Sequence, residues 1–181
     1  MAPVAAAHAT VGGAAGPIVI ESIATSGSGC PGGSASVTTS DGTVRVTFPS
    51  SYTARRGSGA TPADFRRNCL VIIRASTPAG SGFTVASATY TGTSALSSGA
   101  VASSNASYSF AGQTTLTTLQ HPAAGTGAWS ATDSSADLAP LAATACSASG
   151  IVNVNTDLRV TGGTGSLSAA SAVIQLATVP C

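Results

Sequence analysis

The segment SASVTTSDGTVRVTF, residues 34–48, carries the clearest indication of the fold. Two runs of alternating polar and apolar residues flank the dipeptide Asp41-Gly42 in its centre. Asp-Gly between two alternating runs is the strongest short-range signal for a two-residue β-hairpin. The segment therefore predicts two antiparallel strands, at residues 34–40 and 43–48.

Similar patterns recur along the chain. The most hydrophobic run, NCLVIIRA at residues 68–75, predicts a central strand. A strong strand pattern occurs at residues 151–160. Further strands are predicted at residues 17–24, which alternate weakly, and at residues 83–91, 100–104, 106–111, 113–120 and 166–179. Polar or turn-rich sequence predicts loops at residues 49–62 and 121–149. Residues 138–145 could form one helical turn, but Pro140 argues against a longer helix. About nine or ten short strands in all are typical of a β-sandwich.

The composition supports an all-β fold with little or no helix. Ala, Ser, Thr and Gly make up about 59% of the 181 residues, and only 7% are charged. The many β-branched Thr and Val residues favour sheet. Lysine is absent and glutamate and glutamine are scarce, although these residues usually form the solvent-exposed face of a helix. We therefore expect a disulfide-stapled antiparallel β-sandwich.

Charge and hydropathy exclude two classes of partner. Seven arginines are offset by six acidic residues, so the net charge is only +1 and no cationic footprint for nucleic acid is visible. No stretch reaches 18 consecutive apolar residues, so no membrane span is predicted. The start of the chain lacks a basic and apolar leader, and we interpret the chain as a mature, secreted, extracellular protein without its signal peptide.

Four cysteines, Cys30, Cys69, Cys146 and Cys181, are too widely spaced for a zinc or redox motif. An even count at wide spacing indicates two disulfides formed in an oxidising compartment. Three pairings are possible, and loop entropy does not choose between them. We prefer Cys30 with Cys69 and Cys146 with Cys181, because folding closes short loops more easily.

The first 16 residues differ in character from the rest of the chain. They carry no charged side chain, and we expect a flexible arm at residues 1–16 followed by a single β-sandwich domain at residues 17–181. An uncharged extended arm can add to the exposed sheet edge of another protein. The expected partner-binding residues of the arm and first strand are Val4, Val11, Ile18, Val19 and Ile20.

The sequence offers few groups for catalysis. His121 with Asp133 or Asp137 and one of 27 serines could form a triad, but this serine density makes chance combinations common. A glycosidase pair is also poorly supplied, because Asp41 belongs to the hairpin turn and Asp64 is expected to pair with Arg66 or Arg67. We therefore predict no catalytic residue, no cofactor and no metal, and a protein that is not an enzyme.

Several residues are candidates for ligand binding. In a strand, Asn153, Asn155 and Asp157 would share one face and could bind sugar hydroxyls or calcium. The simpler interpretation is a polar outer face, with Val152, Val154, Thr156 and Leu158 turned inward. Tyr90 and Trp129 could stack on a sugar ring, although a lone Trp more often packs under a loop. The pairs Arg55-Arg56 and Arg66-Arg67 could grip an anionic partner, but structural roles are commoner.

Short sequence motifs, several of them around the cysteines, resemble those of a known family. The run SGCPGG at residues 28–33, RRNC at 66–69, YSFAGQ at 108–113 and VNVN at 152–155 occur in the order found in the secreted family known as domain of unknown function 4360. The sequence departs from the family's pattern at two places. Where the family has Trp-Ser-Pro-Cys-Gly, this chain has only ACS at residues 145–147, and where the family has Tyr-Arg-Gly, Thr91 replaces the arginine. The resemblance implies secretion, disulfides and a β fold, and brings no reaction with it.

We expect a secreted, non-enzymatic binding or structural protein. The leading hypothesis is an adaptor subunit that engages other secreted protein subunits through its arm and strand edges, and a secreted bacterial toxin assembly is one setting for it. The alternative is a carbohydrate-binding or cell-surface-binding module, for which glycans are the partners. A hydrolase is the least favoured hypothesis.

Overall fold

The computed structural model describes residues 17–144, 146 and 149–181. This part of the chain contains eleven strands and one 3₁₀ turn, Pro62–Phe65. The strands are β1 Val19–Ser26, β2 Ser36–Ser40, β3 Thr43–Thr47, β4 Thr53–Arg56, β5 Arg66–Ser76, β6 Ser81–Leu96, β7 Val101–Phe110, β8 Leu116–Ala123, β9 Thr126–Asp133, β10 Ser149–Gly162 and β11 Gly165–Pro180.

The strands form two antiparallel sheets. The front sheet has the order β1-β5-β10-β7-β8, and the back sheet has the order β2-β3-β11-β6-β9, with β4 also paired to β11. Long strands β10 and β11 occupy the centres of the two sheets, and their inward side chains meet in the core. The predicted antiparallel β-sandwich is confirmed.

The core is built by alternation along the central strands, and a register shift between Ala169 and Ser171 changes which positions of β11 face inward. Val152, Val154 and Leu158 of β10 are fully buried, as are Leu167 and Ile174 of β11. Three tyrosines, Tyr52, Tyr90 and Tyr108, are among the largest fully buried side chains of the core. Each of these tyrosines buries a hydroxyl group, which must find a hydrogen-bond partner inside the sandwich.

The Asp-Gly hairpin forms as predicted between β2 and β3. Asp41 and Gly42 have φ angles of 47° and 74°, and two consecutive positive φ values are the signature of the type I′ turn. The register pairs Ser40 with Thr43 and continues to Ser36 and Thr47.

The predicted loops were wrong in two places. Residues 49–62 contain the short strand β4, and residues 121–149 contain β9. Pairing with β6 holds residues 126–133 in the back sheet although this segment is rich in small and polar residues. Pro122 lies in β8 at the edge of the front sheet, where a missing N–H group is tolerated. The two short strands predicted at residues 100–111 are one strand, β7.

Both disulfides pair as preferred from loop length. Cys30 is joined to Cys69, and both residues are completely buried. Cys146 is joined to Cys181 at the exposed end of the sandwich, where it ties the chain after β9 to the end of β11. None of the described segments forms a helix long and apolar enough to cross a membrane.

Candidate ligand-binding face

The predicted polar residues of β10 lie on the outer face of the front sheet. Asn153 and Asn155 are half-buried, whereas the alternate residues Val152 and Val154 are buried in the core. The alternation that placed the carboxamides outside is therefore confirmed.

The register of the sheet gives each carboxamide two neighbours. Asn155 lies opposite Leu70 of β5 on one side and Ser107 of β7 on the other. Asn153 lies at the next outward position of β10, in a cross-strand row (a rank) that also contains Ser109 of β7. These ranks form a polar strip along the middle of the sheet with apolar side chains at its margins.

The strip is a shallow concavity of about 460 Å³. Its lining consists of Asn68, Leu70, Ser107, Ser109, Leu116, Asn153 and Asn155, and we call this surface the front face. The lining carries no charged and no aromatic side chain. Leu116, at the margin, is 64% exposed and offers an apolar platform to a ligand.

The carboxamides of the front face have unused hydrogen-bonding capacity. The Oδ1 atom of Asn155 is buried and has no hydrogen-bond partner among the described residues. Asn68 uses its Oδ1 atom to accept a 3.0 Å hydrogen bond from the Ser28 hydroxyl group. Ser107 is also engaged, with its hydroxyl group 3.0 Å from that of Thr118. The polar groups of the front face are therefore partly engaged within the sheet, and the carboxamide and hydroxyl groups that line the concavity are of the kind that hydrogen-bond to hydroxyl-rich ligands.

The third predicted residue, Asp157, is not free to bind a ligand. Only 5% of it is exposed, and its carboxylate accepts hydrogen bonds from the Nε atoms of Arg66 and Arg159. Asn105 donates to the same carboxylate through Nδ2 at 3.2 Å. The calcium interpretation of Asn153, Asn155 and Asp157 is not supported, and no cluster of three or more His, Cys, Asp or Glu residues suited to a metal occurs in the described ranges.

The two aromatic candidates lie away from the front face. Tyr90 belongs to the back sheet and is only 2% exposed, so the expectation that its ring stacks on a sugar was wrong. Trp129, on β9 of the same sheet, is half-buried, and its indole N–H group donates to the carbonyl oxygen of Ser168 at 3.0 Å. This packing agrees with the simpler interpretation of a lone Trp.

A buried hydrogen-bonded chain joins the two sheets at the β8–β9 side. Tyr108 donates its hydroxyl proton to Asp133, so its oxygen accepts from Tyr90, 2.7 Å away. The other carboxylate oxygen of Asp133 lies 2.6 Å from Nε2 of His121. Burial raises the pKa of both tyrosines, which keeps them protonated as donors. The hydrogen bond to Asp133 raises the pKa of His121, against the opposing effect of burial.

The hydrogen-bonded chain contains His121 and Asp133, two members of the triad considered from the sequence. Their hydrogen bonds connect the two sheets and do not activate a serine. Asp133 is held between His121 and Tyr108, and no serine hydroxyl group in the described residues hydrogen-bonds to His121. Asp137 accepts hydrogen bonds from the backbone and hydroxyl groups of Ser134, which lowers the pKa of its carboxyl group. Asp64 pairs with Arg67 at 2.7 Å, as one of the two sequence alternatives predicted.

The first strand lies at an edge of the front sheet. Val19 is 56% exposed, whereas Ile18 and Ile20 are half-buried. Edge strand β2 of the back sheet lies on the same side, and a groove of about 270 Å³ separates it from β1. Val4 and Val11 lie outside the described residues.

Sequence reasoning missed most of the front face. Asn68, Leu70, Ser107, Ser109 and Leu116 come from three strands other than β10, and only the tertiary register brings them beside Asn153 and Asn155. The alternation within β7 could have placed Ser107 and Ser109 on a common face, but it could not have named the neighbouring strand.

Comparison with known proteins finds similar solved structures and a matching family model. The chain is similar to the protein in a solved structure described as TmCBM61 in complex with beta-1,4-galactotriose, with 8% identity, a TM-score of 0.37, and coverage of 89% of this chain and 90% of that one. Among curated proteins no match was found.

A family model matches residues 16–179, which include the front face and three of the four cysteines. The family resemblance seen in the sequence is thereby confirmed, and the chain belongs to the family described as Domain of unknown function (DUF4360).

Proposed function

We propose that the protein is a secreted, non-catalytic module that binds carbohydrate on the front face. The observation that carries this proposal is the uncharged concavity of about 460 Å³ that is lined by the side chains of Asn153 and Asn155. Each carboxamide offers two N–H donors and a carbonyl acceptor, which suits a hydroxyl group that must both donate and accept.

The surroundings of the carboxamides suit a sugar as well. Leu70 and Leu116 supply apolar surface for the C–H faces of a pyranose ring, and Ser109 adds another hydroxyl group.

The test is a glycan array probed with the wild type and with an Asn153→Ala/Asn155→Ala variant. We expect binding by the wild type and at least tenfold weaker binding by the variant, since two sets of hydrogen bonds are lost. Gln175→Ala is the matched control, because it removes a carboxamide from the back sheet, where Gln175 bonds to Thr43 at 2.6 Å. Absence of binding, or equal loss in the control, would contradict the proposal.

A second candidate function is binding to a protein subunit. It is favoured by β1 and β2, the edge strands of the two sheets, which lie next to each other. The groove between them is lined by Ile20, Ile23 and Val37, and its one charged residue is Glu21. An extended segment of a partner could add to such an edge through main-chain hydrogen bonds. In this proposal the protein is an adaptor within a secreted assembly, of which a bacterial toxin particle is one example, and the arm at residues 1–16 contributes to the contact.

The adaptor proposal is tested by co-purification from native culture supernatant. We expect a protein partner to be recovered with the wild type and lost after deletion of residues 2–16 or after Val19→Lys, which places a charge on the exposed edge. Unchanged recovery with both variants would contradict it.

A further inference from the structure

Five of the seven arginines gather at one end of the sandwich. They are Arg55, Arg56, Arg66, Arg67 and Arg159, on β4, the start of β5 and the end of β10. Asp64 and Asp157 are the acidic partners that they contact. This end therefore carries a surplus of three positive charges in a protein whose net charge is +1.

Two of these arginines are fixed side by side. Arg66 and Arg159 lie directly opposite each other on β5 and β10, a position in which like charges repel. The buried carboxylate of Asp157 offsets the repulsion by accepting from Nε of both, one oxygen to each. One carboxylate for two guanidinium groups leaves one positive charge uncompensated.

The outer ends of the two guanidinium groups remain available. The side chains of Arg66 and Arg159 are 58% and 45% exposed. Within the described residues their terminal Nη atoms have no other hydrogen bond or ion pair. Because the Nε contacts hold both groups in place, little side-chain entropy remains to be lost when an anion binds.

The arginine pair continues the front face. Asn155, Asp157 and Arg159 occupy successive outward positions of β10, so Arg159 lies about 13 Å along the strand from Asn155. Asn68, which lines the front face, is the β5 neighbour of Asp157. A polymer lying along β10 would therefore pass from the carboxamides to the arginines without leaving the surface.

We propose that the ligand is an anionic polysaccharide. Its hydroxyl groups bind Asn153 and Asn155, and a carboxylate, sulfate or phosphate substituent binds the terminal nitrogens of Arg66 and Arg159, which match an oxyanion in fork geometry. The polymer part of this inference rests on the proposed function, whereas the preference for negative charge rests on the arginine pair alone. The front face carries no aromatic ring on which the bases of a single-stranded nucleic acid could stack.

The test compares two polymers that share one backbone. Polygalacturonate carries a carboxylate on each residue, and its fully methyl-esterified form carries none. Binding is measured by calorimetry in calcium-free buffer with the wild type, with Arg66→Gln/Asp157→Asn/Arg159→Gln and with Arg45→Gln. The triple variant removes the buried carboxylate together with both of its partners, which avoids an unpaired buried charge. Both variants lower the net charge by one, and Arg45 is an exposed arginine of the back sheet.

We expect the wild type to bind polygalacturonate at least tenfold more tightly than the ester. The triple variant should lose this preference and Arg45→Gln should keep it. Equal binding of both polymers, or equal loss in the two variants, would overturn the charge preference while leaving the proposed function in place. Binding of neither polymer, nor of any array glycan, would overturn both. Tighter binding of poly-glutamate than of polygalacturonate would overturn the inference in favour of an acidic protein.

Discussion

The Nε2 atom of His121 lies 2.6 Å from the Oδ1 atom of Asp133, and this contact joins the edge strand of the front sheet to the edge strand of the back sheet. His121 belongs to β8 and Asp133 to β9, which are connected by a short turn. With Tyr108 on β7 and Tyr90 on β6, the pair closes this side of the sandwich.

Stability should depend on pH through His121. The hydrogen bond to Asp133 raises the pKa of His121 above the value of 6.5 expected for the unfolded chain. The stabilisation is therefore complete below about pH 6.5 and is lost as the pH rises through the higher folded pKa. Urea midpoints measured from pH 5 to pH 9 should show this loss in the wild type and not in His121→Gln. Parallel pH profiles for the two proteins would contradict the account.

The tyrosine chain predicts an order of stability losses. Tyr108→Phe removes the donor to Asp133 and the acceptor for Tyr90, so two buried groups lose a partner. Tyr90→Phe removes only the outer donor of the chain. We expect Tyr108→Phe to lower the free energy of unfolding by about 1–3 kcal/mol, and Tyr90→Phe by less, in urea titrations. A larger loss of stability in Tyr90→Phe than in Tyr108→Phe would contradict this arrangement of the hydrogen bonds.

Gly92 should not tolerate a side chain. A Cβ atom at this position would lie 1.9 Å from the carbonyl oxygen of Ser168 and 2.7 Å from Nε1 of Trp129. Gly92→Ala should therefore cost about 1–3 kcal/mol and shift the fluorescence of the single tryptophan as its contact with Ser168 breaks. Gly32→Ala is the control, because the nearest atom to its Cβ, the carbonyl oxygen of Thr25, would be 3.9 Å away. Unchanged fluorescence in Gly92→Ala would count against this packing.

The two disulfides should differ in their resistance to reduction. Cys30 and Cys69 are completely buried, whereas Cys146 and Cys181 are exposed. Dilute reduced glutathione should open the second bond first, as detected by alkylation and mass spectrometry. Replacing Cys146 and Cys181 by serine should cost about 4 kcal/mol, since the bond closes a loop with a sequence separation of 35. Earlier alkylation of Cys30 would contradict the burial.

Local pattern made part of the structure predictable. The positive φ angles of Asp41 and Gly42 follow from the turn chemistry of an Asp-Gly pair, and the outward side chains of Asn153 and Asn155 follow from period-two alternation. Short loop closure was enough to prefer the disulfide pairing that the structure contains.

Tertiary pairing decided the rest. Strand β9 has few apolar residues and is a strand because β6 pairs with it from Ala88 to Ala95. The front face depends on the neighbours that β10 acquires, and alternation within one strand cannot name them. Asp157 shares the outward face of β10 with Asn155, but its carboxylate accepts hydrogen bonds from Arg66 and Arg159, and this ion pairing makes it unavailable as the predicted ligand-binding residue.

The most direct test of carbohydrate binding at the front face is a chemical-shift map of the ¹⁵N-labelled protein titrated with oligogalacturonate. We expect perturbations along the outward positions of β5, β10 and β7, from Asn153 through Asn155 and Asn68 to Arg66 and Arg159, together with Leu116. Perturbations confined to the β1–β2 edge or to the back sheet, or the absence of any shift with this or an array-selected glycan, would contradict it.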